Sequence, residues 1–418
     1  MKKNGNRTSK LIILKILFLS LFAPNPSFSQ TFTKSGFINF SGSHRTQDSQ
    51  YSQQHLSDQT KNQLNSPDSI GNDSQIFLKL TDKKNEEVEF GAIAKIELNL
   101  NSDGRNQNPN LDQIFTFFDS GLGKFELGNN QAVNQKMKAG PAKFARAAGG
   151  INGKYLEVIN LPMSDPATQA SHFIMLSQSP IGHGGYAKSY YRPNSNEPSG
   201  YHLSQFRALK DDSFEGVEDA NKINYFSPNF SGFQLGLSYA PNSSNIGITK
   251  QTARDAAYTK ISDIFSAAAI YSQDFDNLTV DLSTTVESGK SKNFQRKGLF
   301  AYDVGGSLSY FGFNVGAAYG NWGNSLRPEV GDYAIAGKSD YYTLGISYKF
   351  GPFAASITGI KSRFQNNKYR ATSFGFDYKL TRNLMPYFEL TKFGFDPESE
   401  SIQANRGYVF LTGILYSF

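Results

Sequence analysis

The last fourteen residues, Asn405 to Phe418, read N-R-G-Y-V-F-L-T-G-I-L-Y-S-F. Taken two at a time back from the end, they give Phe418, Tyr416, Ile414, Thr412, Phe410 and Tyr408, a repeat of period two over the whole segment. Only a β-strand places such a set on one face. The set is apolar, with aromatic residues at both ends, as suits a strand crossing a hydrocarbon layer between two aromatic girdles. An unpaired strand edge cannot persist in that layer, because each unsatisfied N–H or C=O costs several kcal/mol or so. The strand is therefore expected to close a barrel against the first strand of the chain.

This ending resembles the recognition signal of bacterial outer-membrane β-barrels: a terminal Phe, an aromatic two residues before it, and apolar residues at alternate positions upstream. Composition agrees with a large all-β unit. The 418 residues include 38 Gly and 57 Phe plus Tyr, and no Cys, so neither disulfides nor thiol chemistry enter. Mean hydropathy is negative, and no apolar run reaches the roughly 18 residues of a membrane helix. Barrel strands show only one apolar face, so this leaves a membrane barrel open.

Residues 1–29 read as a secretory signal peptide. Lys2, Lys3, Arg7 and Lys10 form a basic start, Leu11 to Ala23 an apolar core interrupted by Lys15, and Ser27-Phe28-Ser29 a small-x-small cleavage site. The segment holds five Lys or Arg and no acid, which leaves 37 basic against 36 acidic residues beyond it. The basicity of the whole chain thus belongs to its start, and nucleic-acid binding is not indicated.

Segments of about ten alternating residues recur along residues 30–418. The cleanest is Glu87 to Leu100, with Val88, Phe90, Ala92, Ala94, Ile96 and Leu98 on one face. Strands are predicted at 35–43, 74–82, 87–100, 109–119, 124–129, 220–227, 232–240, 260–273, 278–290, 299–310, 313–322, 339–350, 353–363, 368–380, 385–395 and 404–418. Sixteen is even, as an up-and-down barrel with both termini on the periplasmic side requires. Short connections (82–86, 121–123, 228–231, 311–312, 351–352) alternate with long ones (44–73, 130–219, 241–259, 323–338), matching periplasmic turns and extracellular loops. A connection as long as 130–219 points to a function of its own.

At this point the chain resembles the general porins of Gram-negative bacteria, particularly the sixteen-stranded trimeric kind of alphaproteobacteria. Phe115 to Gly128, F-T-F-F-D-S-G-L-G-K-F-E-L-G, resembles that family's fourth strand, glycine turn and fifth strand. Lys222 to Pro241, K-I-N-Y-F-S-P-N-F-S-G-F-Q-L-G-L-S-Y-A-P, resembles the strand, Ser-Pro turn and strand after its third loop. The terminal strand is the third match. The resemblance implies an outer-membrane, sixteen-stranded antiparallel transmembrane β-barrel with the long third loop folded into the lumen. It also implies a homotrimer that passes small hydrophilic solutes and ions by passive diffusion.

In that family carboxylates of the third loop face basic residues on the opposite wall and narrow the pore. Here the segment lacks the family's Pro-Glu-Phe-Gly-Gly tip, and its nearest glycine turn, Ile181 to Gly185, has no acid beside it. Glu157 and Asp165 are the loop acids that remain as candidates. Lys79, Lys95, Lys124 and Lys222 lie opposite the lipid-facing set and are the candidates for the basic wall, since a Lys facing mid-bilayer lipid costs roughly 2–4 kcal/mol. Tyr416 and Phe418 are the expected signal to the barrel-assembly machinery. Inward Gly236, Ser238, Gly305, Ser307, Gly316, Gly345, Ser347 and Gly375 are expected to leave room along the lumen.

An enzymatic barrel is not indicated. His44, His55, His172, His183 and His202 fall in the expected first and third loops, away from any triad spacing. H-E-x-x-H and G-x-S-x-G are absent, and Gly149 to Lys154, G-G-I-N-G-K, has the wrong spacing for a phosphate loop. No cofactor is expected; bound calcium is left open by the sequence. A barrel acting mainly as an adhesin through its long loops is the alternative reading.

Overall fold

The computed structural model describes residues 29–51, 67–85, 87–98, 110–159, 220–242, 261–291, 297–325, 337–364, 366–398, 400 and 403–418. Sixteen antiparallel strands form one closed barrel in which each pairs with its neighbours in sequence and β1 pairs with β16. They are β1 Ser29–Gln47, β2 Asp68–Asn85, β3 Val88–Glu97, β4 Asn110–Ser120, β5 Gly123–Asn129, β6 Asn221–Phe226, β7 Phe233–Asn242 and β8 Ile261–Phe275. The second half comprises β9 Leu278–Ser291, β10 Leu299–Tyr310, β11 Phe313–Asn321, β12 Asp340–Phe350, β13 Phe353–Phe364, β14 Asn367–Tyr378, β15 Leu384–Asp396 and β16 Asn405–Ser417.

The strand positions follow the predicted ones, with a difference at β1 and β2. Both run well beyond 35–43 and 74–82, and pair from Ser29↔Lys83 to His44↔Asp68. Their ends, such as Ser43-His44-Arg45-Thr46-Gln47, are polar on both faces. Backbone pairing with neighbours holds them in the sheet where no apolar alternation marks them. His44 accordingly lies on β1, with Nδ1 2.6 Å from Asp68 Oδ1. Ser43 next to it points to the opposite face, so no triad forms.

Most strands alternate between an exposed, largely apolar face and a buried face rich in small, polar and charged residues, whereas β3 is half-buried throughout. Leu344 and Ile346 are exposed, for example, whereas Thr343 and Ser347 are buried. An exposed apolar exterior over a polar interior inverts a soluble barrel and is the pattern for lipid contact. Aromatic contacts gather into two outer belts. Near the short turns, Phe313 stacks on Tyr348 at 4.0 Å and Phe353 on Tyr378 at 4.7 Å. Near the long connections, Tyr239 meets Phe265 at 4.7 Å and Tyr319 meets Tyr342 at 4.7 Å. The turn between β10 and β11 places Phe311 and Gly312 at φ of 46° and 85°, the left-handed pair that a two-residue hairpin demands.

Closure ends on the last residue. Gly36 N–H donates to Phe418 O at 2.9 Å, and Phe418 N–H donates to Gly36 O at 3.0 Å. A Cβ at Gly36 would sit 2.4 Å from Gln75 O and 2.8 Å from Phe418 Cζ, so the ring lies across that glycine. Deleting Phe418 removes both closing hydrogen bonds, each worth several kcal/mol or so in a hydrocarbon layer. Phe233→Ala removes only an outward side chain, about 1.5–3 kcal/mol. The yield of heat-modifiable barrel refolded into lipid vesicles is expected to fall far more for the deletion; equal yields would refute this account of closure.

Candidate functional site

The connection after β5 turns onto the buried face of the wall. Its described part, residues 130–159, contains two one-turn helices, α1 Val133–Lys136 and α2 Tyr155–Val158. Both are too short to stand alone, and the wall holds them. Ser238 Oγ on β7 accepts from Val133 N–H at 2.9 Å, and Ser283 Oγ on β9 accepts from Ala139 N–H at 2.8 Å. Glu389 Oε2 on β15 accepts from Gly150 N–H at 2.9 Å. Asn39 Nδ2 on β1 donates to Ala147 O at 3.3 Å, and Arg45 on the same strand donates to Val158 O. Lys154 Nζ lies 3.6 Å from Asp73 Oδ2 on β2.

The inward glycines have a use that sequence alone did not show. A Cβ at Gly236 would meet Met137 Sδ at 2.4 Å, one at Gly305 would meet Ala139 O at 2.2 Å, and one at Gly345 would meet Pro141 Cβ at 2.6 Å. A Cβ at Gly316 would lie 3.0 Å from Phe144 Cζ. The space they leave is thus filled by residues 133–144, and the glycines form a seat running from β7 to β12.

The described charged side chains of this segment are cations. Lys138 Nζ lies 3.1 Å from Asp303 Oδ2 on β10 and donates to Tyr341 Oη on β12 at 2.6 Å. Burial pulls the Lys138 ammonium below the ordinary lysine range, against the attraction of Asp303. Arg146 grips Asp377 on β14 through two N–H donors. Lys136 pairs with Glu126 on β5, which also accepts from Asn130 Nδ2 at 2.6 Å and Asn224 Nδ2 at 3.1 Å. Among the described side chains, loop cations dock on wall acids; the loop acids that the resemblance implied, Glu157 and Asp165, are not among them.

Of the expected site residues, Lys79 bonds Glu89 Oε1 at 2.9 Å, and Lys124 lies 3.1 Å from Glu126 Oε1. Both ammoniums stand over the Phe117 ring, at 5.0 and 5.4 Å. Lys95 is half-buried on the same inward face of β3. Lys222 is buried and donates to the backbone oxygens of Asn130 and Ala220, so it clamps the two ends of the connection. Glu157 falls within α2, but its side chain, like the whole of Asp165 and the turn 181–185, lies outside the described residues.

Lys136 was not singled out from the sequence. Its ring partners Phe115 and Phe226, at 4.9 and 5.6 Å, come from strands on either side of the connection. Lys124, Lys136, Glu126, Asp119, Phe115 and Phe226 line a cavity of about 610 Å³ that opens toward the short-turn rim at Ser120 and Pro228. Such a vestibule can hold a small anion between ammoniums on aromatic faces. Among the described residues no group of three or more His, Asp or Glu is placed to hold a metal ion.

A family model described as Gram-negative porin matches residues 17–397. The chain belongs to the Gram-negative porin family. Family and barrel together imply an outer-membrane channel protein, a class distinct from the enzymes. An uncharacterized protein of Rickettsia conorii is 25% identical over 368 residues, covering 74% of this chain and 76% of its own. One from Rickettsia typhi is 25% identical over 366 residues, covering 72% and 75%. Among solved structures, an anion-selective porin from Comamonas acidovorans superposes with a TM-score of 0.54 at 14% identity, covering 93% of this chain and 100% of its own. A triple mutant of Rhodopseudomonas blastica porin gives 0.51 at 14% identity, with the same coverage. These likenesses carry the fold.

The seat makes a direct prediction. Gly305→Val forces Ala139 away from β10 and is expected to open residues 130–159 of the porin to limited proteolysis while the barrel stays heat-modifiable. Glu126→Ala strands Lys136, Asn130 and Asn224 together, at a cost of about 3–5 kcal/mol. It should produce the same cleavage; protection equal to the parent porin in both variants would show that the seat does not hold the loop.

Proposed function

We propose that this porin forms a water-filled channel for passive diffusion of small hydrophilic solutes and ions, with the 130–219 connection folded into the lumen as its constriction. The observation that carries the reading is the chain of contacts from Val133 with Ser238 of β7 round to Lys154 with Asp73 of β2, which ties one connection to the inward faces of strands on every side of the barrel. A connection held that way narrows the passage at a fixed depth and sets which charges a solute meets. In planar bilayers the purified protein is expected to give stable ohmic steps. A barrel that inserts and carries no current would sink the proposal.

Solutes entering from the short-turn rim meet Lys79, Lys83, Lys124 and Lys136, four cations that share the two carboxylates of Glu89 and Glu126, whereas Asp303 and Asp377 across the lumen are each held by a cation of their own, Lys138 and Arg146. The channel is therefore proposed to favour small anions. Converting Lys79 and Lys124 to Glu should move the reversal potential in a salt gradient toward cation preference, and an unmoved potential would exclude these lysines from the permeation path.

Residues 1–29 are proposed as a secretory signal, its last residue, Ser29, being the first of β1. Tyr416 and Phe418, side by side at 6.3 Å on the outer wall, are proposed as the mark that the barrel-assembly machinery reads. A homotrimer is proposed on family grounds, with small outward residues such as Ala92 and Ala94 as packing surface. Unheated protein should migrate as a trimer in mild detergent gels. Migration as a monomer would count against it.

A further inference from the structure

Toward the long-connection end of β13 to β16 the two faces of the wall exchange character. The inward residues there, Ile360, Phe364, Tyr369, Phe393, Phe395 and Val409, are apolar or aromatic, and all are buried. Outward residues at the same level, such as Lys361 and Arg370, are charged and exposed. Lys361 pairs with Arg370 across β13 and β14, and on the adjoining inward rung Ile360 pairs with Ala371 and Ala371 with Phe393. An apolar inside under a charged outside is the arrangement of a water-soluble barrel, whose interior is filled by side chains. A water-filled lumen has the opposite arrangement.

The third connection supplies the filling. Ile151, Tyr155, Leu156 and Ile159 are each at most 2% exposed and form one apolar cluster with these wall residues. Gly150, at φ 59°, lets the chain turn onto β13, since a Cβ there would lie 2.9 Å from Thr358 Oγ1. The hydroxyls of Tyr155 and Tyr369 share a hydrogen bond. Along the wall the cluster continues to Trp322, edge-on to Phe364 at 5.8 Å, and to Ile261 and Ile264 of β8. Polar groups of the same stretch turn the other way: Lys154 Nζ lies 3.6 Å from Asp73 Oδ2 on β2, and Arg45 on β1 donates to Val158 O. Side chains packed so closely leave no space for water, and a hydrated ion or sugar entering them would lose its hydrogen bonds without replacement. Residues 150–159 thus have a dry side against β8 to β16 and a polar side against β1 and β2.

We propose that residues 150–159 are an apolar stopper that shuts the β8 to β16 side of the lumen at its long-connection end, so that the packing of Ile151, Tyr155, Leu156 and Ile159 on the wall sets the solute size cutoff of this porin. The proposal rests on the channel reading and adds to it a size limit made by a hydrophobic seal. Lysines near the short-turn end then select a solute by charge, and the stopper selects it by size. Its position follows from the wall: the seal lies where the inward face turns apolar, and the passage is left to the polar side.

The test uses the full-length porin in planar bilayers, and in liposomes that swell in a series of sugars from mono- to trisaccharide. Ile151→Ser, Tyr155→Ser, Leu156→Ser and Ile159→Ser together should raise the unitary conductance and move the cutoff to larger sugars. Phe393→Ser with Phe395→Ser opens the same core from the wall, leaves the connection untouched, and should shift both readings the same way. Trp322, the one tryptophan of the sequence, reports wetting of the core, and its emission should move to the red in both variants. A staple tests whether the parent conducts with the stopper seated. A Cβ at Gly375 of β14 would lie 3.6 Å from Ala145 Cβ, within the span of a disulfide, and the chain has no other Cys. Ala145→Cys with Gly375→Cys should therefore conduct at the parent level when oxidised. Lys361→Gln, on the outer face of β13 at the same level, is the control and should change neither conductance nor cutoff. Heat-modifiability shows that each barrel has closed. A red-shifted Trp322 with parent conductance and cutoff would overturn the proposal. Loss of current on oxidising the staple would do the same, because conduction would then require the stopper to leave. Current absent from the parent and from every variant would remove the channel reading itself, and the stopper with it.

Discussion

A strand edge in hydrocarbon must find a partner for every backbone N–H and C=O, and the rest of this molecule depends on that requirement. With sixteen strands in sequential antiparallel order, only the pairing of β1 with β16 removes the last edge. The reciprocal bonds between Gly36 and Phe418 complete it at the short-turn rim. Once the wall is closed, alternation leaves no choice about the two faces. Outward residues at the depth of the hydrocarbon layer meet lipid and must be apolar, while those nearer the rims are free to be polar. Inward ones are free to be glycine, serine or charged, and those are the residues that receive the third connection.

That connection is held by the wall more than by its own structure. In its described part, residues 130–159, the α-helices are single turns, and the backbone donors of Val133, Ala139 and Gly150 are satisfied by Ser238, Ser283 and Glu389 from strands distant in sequence. The glycine seat lets it lie within van der Waals distance of the strands, so short bonds of that kind become feasible. Ion pairs then fix it laterally, and they run from loop cations to wall acids. Removing either partner from a buried pair costs far more than an exposed pair contributes. Asp303 with Lys138 and Glu126 with Lys136 therefore act as pegs, and Lys124, which shares Glu126, lies with Lys79 beside Phe117 near the vestibule.

Strand number, order and facing were legible in the sequence, because alternation and turn chemistry are local and a one-residue slip would turn every apolar side chain inward. Phe418 as the closing residue was legible for the same reason. The ends of β1 and β2 were not, since polar residues beyond the hydrocarbon layer carry no alternation and only pairing extends them. The inward direction of Lys79 and Lys124 followed from register, but the roles of Lys222 and Lys136 did not. Lys222 lies beside Asn130 only because the barrel brings β5 and β6 together, and Lys136 finds Glu126 only when α1 folds back on the wall. Likewise Gly236, Gly305, Gly316 and Gly345 announce small inward positions. What occupies the space beside them is decided by contacts between residues far apart in the chain, which no local pattern records.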